Sequence, residues 1–173
     1  LICNPASSDS VEICNYFIQK RVNKGFNVNH VLNLTGISTS ELVSDAVYND
    51  IKNQVGSWLS SHPSEIINYI ITTKGVPLKT LEKSIDSMLM VAFGNENPRY
   101  YLSNERFSHS KFKSYLVTRL DGGSVQDVKN LIDNSEKASM SGYVLINCYK
   151  CGWIGGADYH CSDAADIVSQ KGY

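Results

Sequence analysis

The stretch Ile66-Ile67-Asn68-Tyr69-Ile70-Ile71-Thr72 places apolar side chains at adjacent pairs of positions rather than at alternating ones. A strand with one wet face alternates. A strand that is apolar on both faces belongs in a sheet covered on both sides, which is the parallel case. Parallel neighbours need crossover connections, and the flanking sequence supplies them. Val11, Cys14, Ile18 and Val22 recur at helical spacing and end at Gly25, while Val43, Val47, Ile51, Val55 and Leu59 step by four along one helix face and end at His62-Pro63. Asp9 with Glu12, Ser38 with Glu41 and Ser124 with Asp127 have the spacing of capping boxes at helix starts. The last of these opens a helix carrying Val125, Val128, Leu131 and Ile132.

Between the helices, Leu1–Cys3, Val28–Leu34, Tyr115–Leu120 and Tyr143–Cys148 read as further strands, and Ser162–Gln170 as a final helix closed by Gly172. The expected fold is therefore α/β, a three-layer sandwich with a mostly parallel, Rossmann-like sheet, spanning 1–173 as one domain. The stretch 76–114 breaks the alternation and reads as an insertion at the sheet edge, with a short helix near Ser84–Ala92. Its Tyr100 and Tyr101, with Phe107, are candidates for a contact surface.

A chain of 173 residues with 42% hydrophobic and 19% charged residues can bury a core, and its net charge of −1 excludes a basic nucleic-acid footprint. No apolar run reaches the ~20 residues of a membrane helix. The opening Leu-Ile-Cys-Asn, without Met, reads as a start inside a strand, so the natural N-terminus is expected upstream. Five cysteines are an odd number and too few for a dense disulfide scaffold, which leaves the redox compartment open. The sequon Asn33-Leu34-Thr35 is too common by chance to decide anything.

In an open parallel sheet ligands bind beyond the carboxyl ends of the strands. That rule gathers Asn4, Ser7 and Ser8 after the first strand, Thr72 to Gly75 with Lys74 after the third, Arg119 with Asp121 to Gly123 after the fourth, and Asn147 to Gly156 after the fifth. The ligand-binding candidates are Asn4, Ser7, Ser8, Lys74, Arg119, Asp121 and Asp158. Each competes with a plain turn or cap role. For Arg119 the competitor is a buried ion pair with Asp121 or Asp158.

The serine-rich loop Ala6–Ser10, entering a helix start, would suit a small anion or FMN through Ser7, Ser8 and Ser10, although no G-x-G-x-x-G or Walker sequence is present. Cys148, Cys151, His160 and Cys161 carry the soft donors of a tetrahedral zinc site, with a disulfide or free thiols as alternatives. His30, His62 and His109 are isolated, and no Cys–His dyad can be assembled.

Ile67-Asn-Tyr-Ile-Ile-Thr-Thr-Lys-Gly-Val-Pro-Leu78, Ser84-Ile-Asp86-Ser-Met-Leu89, Asn97-Pro98 and Tyr115-Leu-Val-Thr-Arg119-Leu-Asp121-Gly122 follow one another in order. With Asn4-Pro5 and Ser8-Asp9-Ser10 they resemble a widespread bacterial family of uncharacterised, often exported proteins. That family is distantly similar to the N-terminal subdomain of gingipain-type cysteine peptidases. The resemblance implies a caspase-like sheet, a hydrolase-related role, an extracytoplasmic location and a downstream domain or protein partner. In that pattern the His-Gly and Cys motifs lie beyond the position of Tyr173, so it implies no peptidase dyad in this chain, which would be the front part of a longer protein. A non-catalytic binding or structural module is the alternative.

Overall fold

The computed structural model describes residues 1–94 and 107–138. The compact unit they build is Leu1–Ser135. Its strands are β1 (Ile2–Cys3), β2 (Leu32–Asn33), β3 (Tyr69–Thr73) and β4 (Leu116–Leu120). Its helices are α1 (Ser8–Arg21), α2 (Asp45–Ser61), α3 (Ile85–Val91), the single turn α4 (His109–Phe112) and α5 (Val125–Ser135). The strands form a four-stranded sheet in the order β2-β1-β3-β4, and every pairing is parallel. The fold is α/β, as the doubly apolar β3 run requires.

Adjacent residues of a strand point to opposite faces, and β3 shows what lies on each. Ile70 belongs to the larger core, with Ile51 and Val55 of α2 and Ile85 and Leu89 of α3. Ile71 packs against the smaller core, made by Ile13 and Phe17 of α1 with Val128 and Ile132 of α5. Helices thus cover both faces. Polar contacts tie α1 to α5 as well: the Tyr16 hydroxyl donates to Asp133 at 2.8 Å, and Lys20 lies 2.9 Å from the same carboxylate. The hydrogen bond Lys20 itself donates to Asp133 is the main reason its ammonium is held above its ordinary pKa.

Several expected boundaries move, each for a local reason. Helix α1 is capped by Ser7, whose Oγ accepts from the Ser10 N–H, rather than by an Asp9–Glu12 box, and Glu12 instead pairs with Lys129 on α5. Helix α2 is capped by Ser44, not Ser38. The Ser38 hydroxyl closes a turn onto the Ser40 N–H, and the Glu41 carbonyl accepts from Leu78 and Lys79, so that segment is held to the loop after β3. The Ser124–Asp127 box forms with both reciprocal bonds, and the short helix expected near Ser84–Ala92 forms as α3, capped by Ser84. Strand β2 is shorter than 28–34 because Val28–His30 turns as a 3-10 helix capped by Asn27. Strand β3 starts at Tyr69, and Ile66 is left 86% exposed. Within 76–114, Ile85 and Leu89 are core residues rather than surface cover. The expected strand Tyr143–Cys148 and helix Ser162–Gln170 lie outside the described residues, as do Tyr100 and Tyr101.

A disulfide, Cys3–Cys14, joins the end of β1 to α1. It closes a loop of sequence separation 11, of a size that stabilises by about 2–3 kcal/mol.

Two glycines with left-handed backbone give a controlled comparison. Gly36 (φ +66) faces open space, whereas a Cβ on Gly75 (φ +89) would collide with the Ser7 side chain. Gly36→Ala is expected to cost about 1 kcal/mol, the left-handed penalty alone. Gly75→Ala adds overpacking and is expected to cost about 3 kcal/mol, read from urea midpoints at unchanged slope. A second expectation concerns alkali. Burial holds the Tyr115 and Tyr48 phenols above their ordinary value of 10.0. Below that value both states are neutral; above it the unfolded chain ionises first. The urea midpoint should therefore fall as the pH rises above about 10, and replacing Tyr48 and Tyr115 by Phe should flatten that fall.

Candidate functional site

Because all strands run the same way, their carboxyl ends share one rim. Asn4 follows β1, Lys74 follows β3, Arg119 lies at the end of β4, and Asp121 follows it. The chain leaves β1 towards β2 on one side and then returns to β3 on the other. The topological switch, where such sheets open a ligand crevice, is therefore between β1 and β3.

That crevice is closed by Asn4. Its side chain is buried, and its Nδ2 donates to the Ser38 carbonyl at 3.1 Å and to the Gly75 carbonyl at 2.8 Å. Its Oδ1 accepts from the Ala6 N–H at 3.2 Å. One amide thus joins the loops that follow β1, β2 and β3. The serines beside it are engaged too. Ser10 Oγ accepts from the Asn4 N–H at 2.8 Å and shares a 2.7 Å hydrogen bond with Thr73, whose hydroxyl also donates to the Ile2 carbonyl. Ser7 caps α1 and packs against Gly75. Ser8 stays exposed in the first turn of α1.

Arg119 is the centre of a second network. Its Nε donates to Asp86 Oδ2 at 2.8 Å and its Nη2 to Asp86 Oδ1 at 2.8 Å, a two-pronged pair. The remaining donors reach the carbonyls of Thr73 (3.3 Å), Val76 (2.8 Å) and Pro77 (2.9 Å). A guanidinium has five N–H groups, and all of them are used inside the fold. Asp86 accepts in addition from the Thr72 hydroxyl at 2.9 Å. The pair is largely shielded, with side-chain exposures of 10% for Arg119 and 19% for Asp86. The ion-pair role is the one Arg119 plays, but its partner is Asp86, not Asp121. Alternation explains the correction. Thr72 and Arg119 share the sheet face that α3 covers, and the N-terminal turn of α3 presents Asp86 to them.

Asp121 pairs instead with Lys74, whose Nζ sits 3.5 Å from its carboxylate and donates to the Gly122 carbonyl at 3.0 Å. These two side chains are 27% and 41% exposed. Both are more exposed than Arg119 and Asp86. Asp158, Asn147 and the proposed zinc donors Cys148, Cys151, His160 and Cys161 lie outside the described residues. Among the described residues no group of His, Cys, Asp and Glu converges as a metal site.

The isolated histidines have local roles. His62 ends α2 with its ring stacked on Trp58, His109 stacks on Tyr115, and His30 Nε2 lies 2.9 Å from Glu65. His30 and Trp58 also line a cavity of about 260 Å³ near the amino ends of β1 and β3, with Phe26, Leu32, Ile66 and Tyr69. Sequence reasoning gave no hint of this concavity, because its walls come from the apolar stripes that mark any core. Comparison with protein-family models, with curated proteins and with solved structures finds no match for the chain.

If Arg119 is a structural tie, removing either partner strands the other in a shielded place. Arg119→Lys and Asp86→Asn should each lower unfolding free energy by about 3 kcal/mol. The double variant should cost clearly less than the sum, by about 2 kcal/mol. Losses under about 1 kcal/mol for both single variants would show that the network does not hold the loops.

Proposed function

We propose that the unit Leu1–Ser135 is a non-catalytic, protein-contacting frame in an exported, hydrolase-related protein. One observation carries the reading. Two of the motif residues at the rim, Asn4 and Arg119, have their side-chain donors committed to backbone carbonyls and to Asp86. A guanidinium with no free N–H cannot bind a substrate carboxylate or stabilise an oxyanion without first unlocking the loop after β3.

Other features support the same reading. The Thr-Thr-Lys-Gly-Val-Pro and Thr-Arg-Leu-Asp-Gly motifs resemble those of an exported, peptidase-related family, and here they build the lock itself. The Cys3–Cys14 disulfide fits an oxidising, extracytoplasmic compartment. An aromatic surface suited to protein contact joins Tyr69, which is 60% exposed, to Phe107 and the stacked Phe112. The anion or FMN reading draws no support from the loop Ala6–Ser10, where Ser7 serves as helix cap and Ser10 is enclosed by Asn4 and Thr73.

The test is direct. The purified 173-residue chain should turn over no fluorogenic peptide or ester above a heat-denatured control, and mechanism-based peptidyl probes should label no single residue stoichiometrically. Turnover or labelling that Lys74→Ala or Asp121→Asn abolishes would return the rim to catalysis and overturn the frame reading.

A further inference from the structure

Asn33 stands in the only N-x-T sequence of the chain that could accept an N-linked glycan, Asn33-Leu34-Thr35. The structure places Asn33 at the end of β2, the strand at one end of the sheet order, with Leu34 and Thr35 just after it. Leu34 is buried in the larger core and Leu32 packs against it, so Asn33, between them, turns to the other face. There it is exposed. On one side β2 is bonded to β1, through Leu32 N–H to the Leu1 carbonyl and Leu34 N–H to the Cys3 carbonyl, both at 2.8 Å. Among the described residues no strand lies on its other side.

The residues that follow hold the sequon in a fixed turn. Gln54 of α2 accepts from the Thr35 N–H at 2.8 Å and donates to the Thr35 carbonyl at 2.9 Å, and Gly36 then adopts a left-handed conformation. Thr35 is exposed along with Asn33. A second observation is independent of the sequon. Cys3, which is the register partner of Asn33, is oxidised to Cys14. Disulfides form in the compartments through which secreted chains pass, and N-linked glycans are attached in such a compartment.

We infer that Asn33 is an N-glycan acceptor and that its glycan shields the edge of β2 on which no described strand lies. The donor is an oligosaccharide joined to a lipid through a pyrophosphate. The Asn33 carboxamide nitrogen forms a C–N bond to the anomeric carbon as the anomeric C–O bond breaks. The lipid pyrophosphate leaves with the electron pair, the amide gives up one proton, and nothing is oxidised or reduced. A bulky hydrophilic group at this position keeps a second chain from adding to the strand, a common way of protecting a sheet edge. The inference rests on the export part of the proposed function.

The experiment is secretion of the full chain from a eukaryotic host, followed by peptide mapping with and without peptide N-glycosidase. A mass shift on the peptide containing Asn33, removed by the enzyme with conversion of that residue to aspartate, is the expected result. The shift should be lost completely in Asn33→Gln and in Thr35→Ala and kept in Thr35→Ser, with circular dichroism unchanged. An unmodified Asn33 in secreted, folded chain overturns the inference, as does a shift that survives Asn33→Gln. The state of Cys3 and Cys14, mapped without reduction in the same sample, separates the two claims. A formed disulfide with a bare Asn33 sinks the glycan and leaves export standing. A glycan with both thiols free keeps the site and removes the disulfide as support for export.

Discussion

The pair between Arg119 and Asp86 brings three parts of the chain to one point. Arg119 belongs to β4, Asp86 to the first turn of α3, and the carbonyls of Thr73, Val76 and Pro77 to the end of β3 and the loop that leaves it. A shielded charge is costly unless paired and hydrogen-bonded, and here the carboxylate takes two guanidinium donors and the Thr72 hydroxyl. The arrangement works only with arginine. A lysine ammonium is a point charge with three donors and cannot span the same set of acceptors.

Asn4 does for β1 what Arg119 does for β4. Both residues stand at carboxyl ends of parallel strands, where an α/β sheet usually receives its ligand, and both turn their side chains on the fold itself. The loops that would otherwise move to admit a ligand are tied to one another: the loop after β2 to Asn4 through Ser38, and the loop after β3 to Asn4 through Gly75 and to Arg119 through Val76 and Pro77. The Lys74–Asp121 pair on the rim is exposed enough that water and salt weaken it.

The sheet direction, the existence of β3 and the Ser124–Asp127 cap were legible because each rests on a local pattern: periodicity for the first two, side-chain spacing for the third. The misread features share a different cause. Asp9 and Ser7 are both good caps two residues apart; Ser7 takes the Ser10 N–H, and Glu12 pairs with Lys129 on another helix. Ser38 loses to Ser44 because the chain between them is held by the loop after β3. Asp86 lies inside the Ser84-Ile-Asp86 motif, yet its role depends on which face of β4 Arg119 occupies, a fact of register rather than of spacing. Cys3 and Cys14 are likewise unremarkable in sequence, since a helix residue and a strand residue meet only once α1 lies across the sheet.

The two faces of the sheet are therefore fastened by different chemistry at the same rim. On the α3 face the fastening is ionic, through Thr72, Asp86 and Arg119; on the α1 face it is covalent and neutral, through Cys3–Cys14 and the Ser10–Thr73 hydrogen bond. Thr72 and Thr73 are neighbours in β3 that point to opposite faces, and each hydroxyl is bonded into one of these fastenings. The Thr-Thr pair is thus the hinge of the motif. With valine at either position the strand could still pair and pack, since the sheet hydrogen bonds are made by the backbone, but one fastening would lose its link to the central strand. The motif Thr-Thr-Lys-Gly-Val-Pro specifies how the sheet's carboxyl rim is closed, and each of its first four residues has an assigned place in that closure: two hydroxyls, one rim cation, and one glycine where Ser7 leaves no room for a side chain.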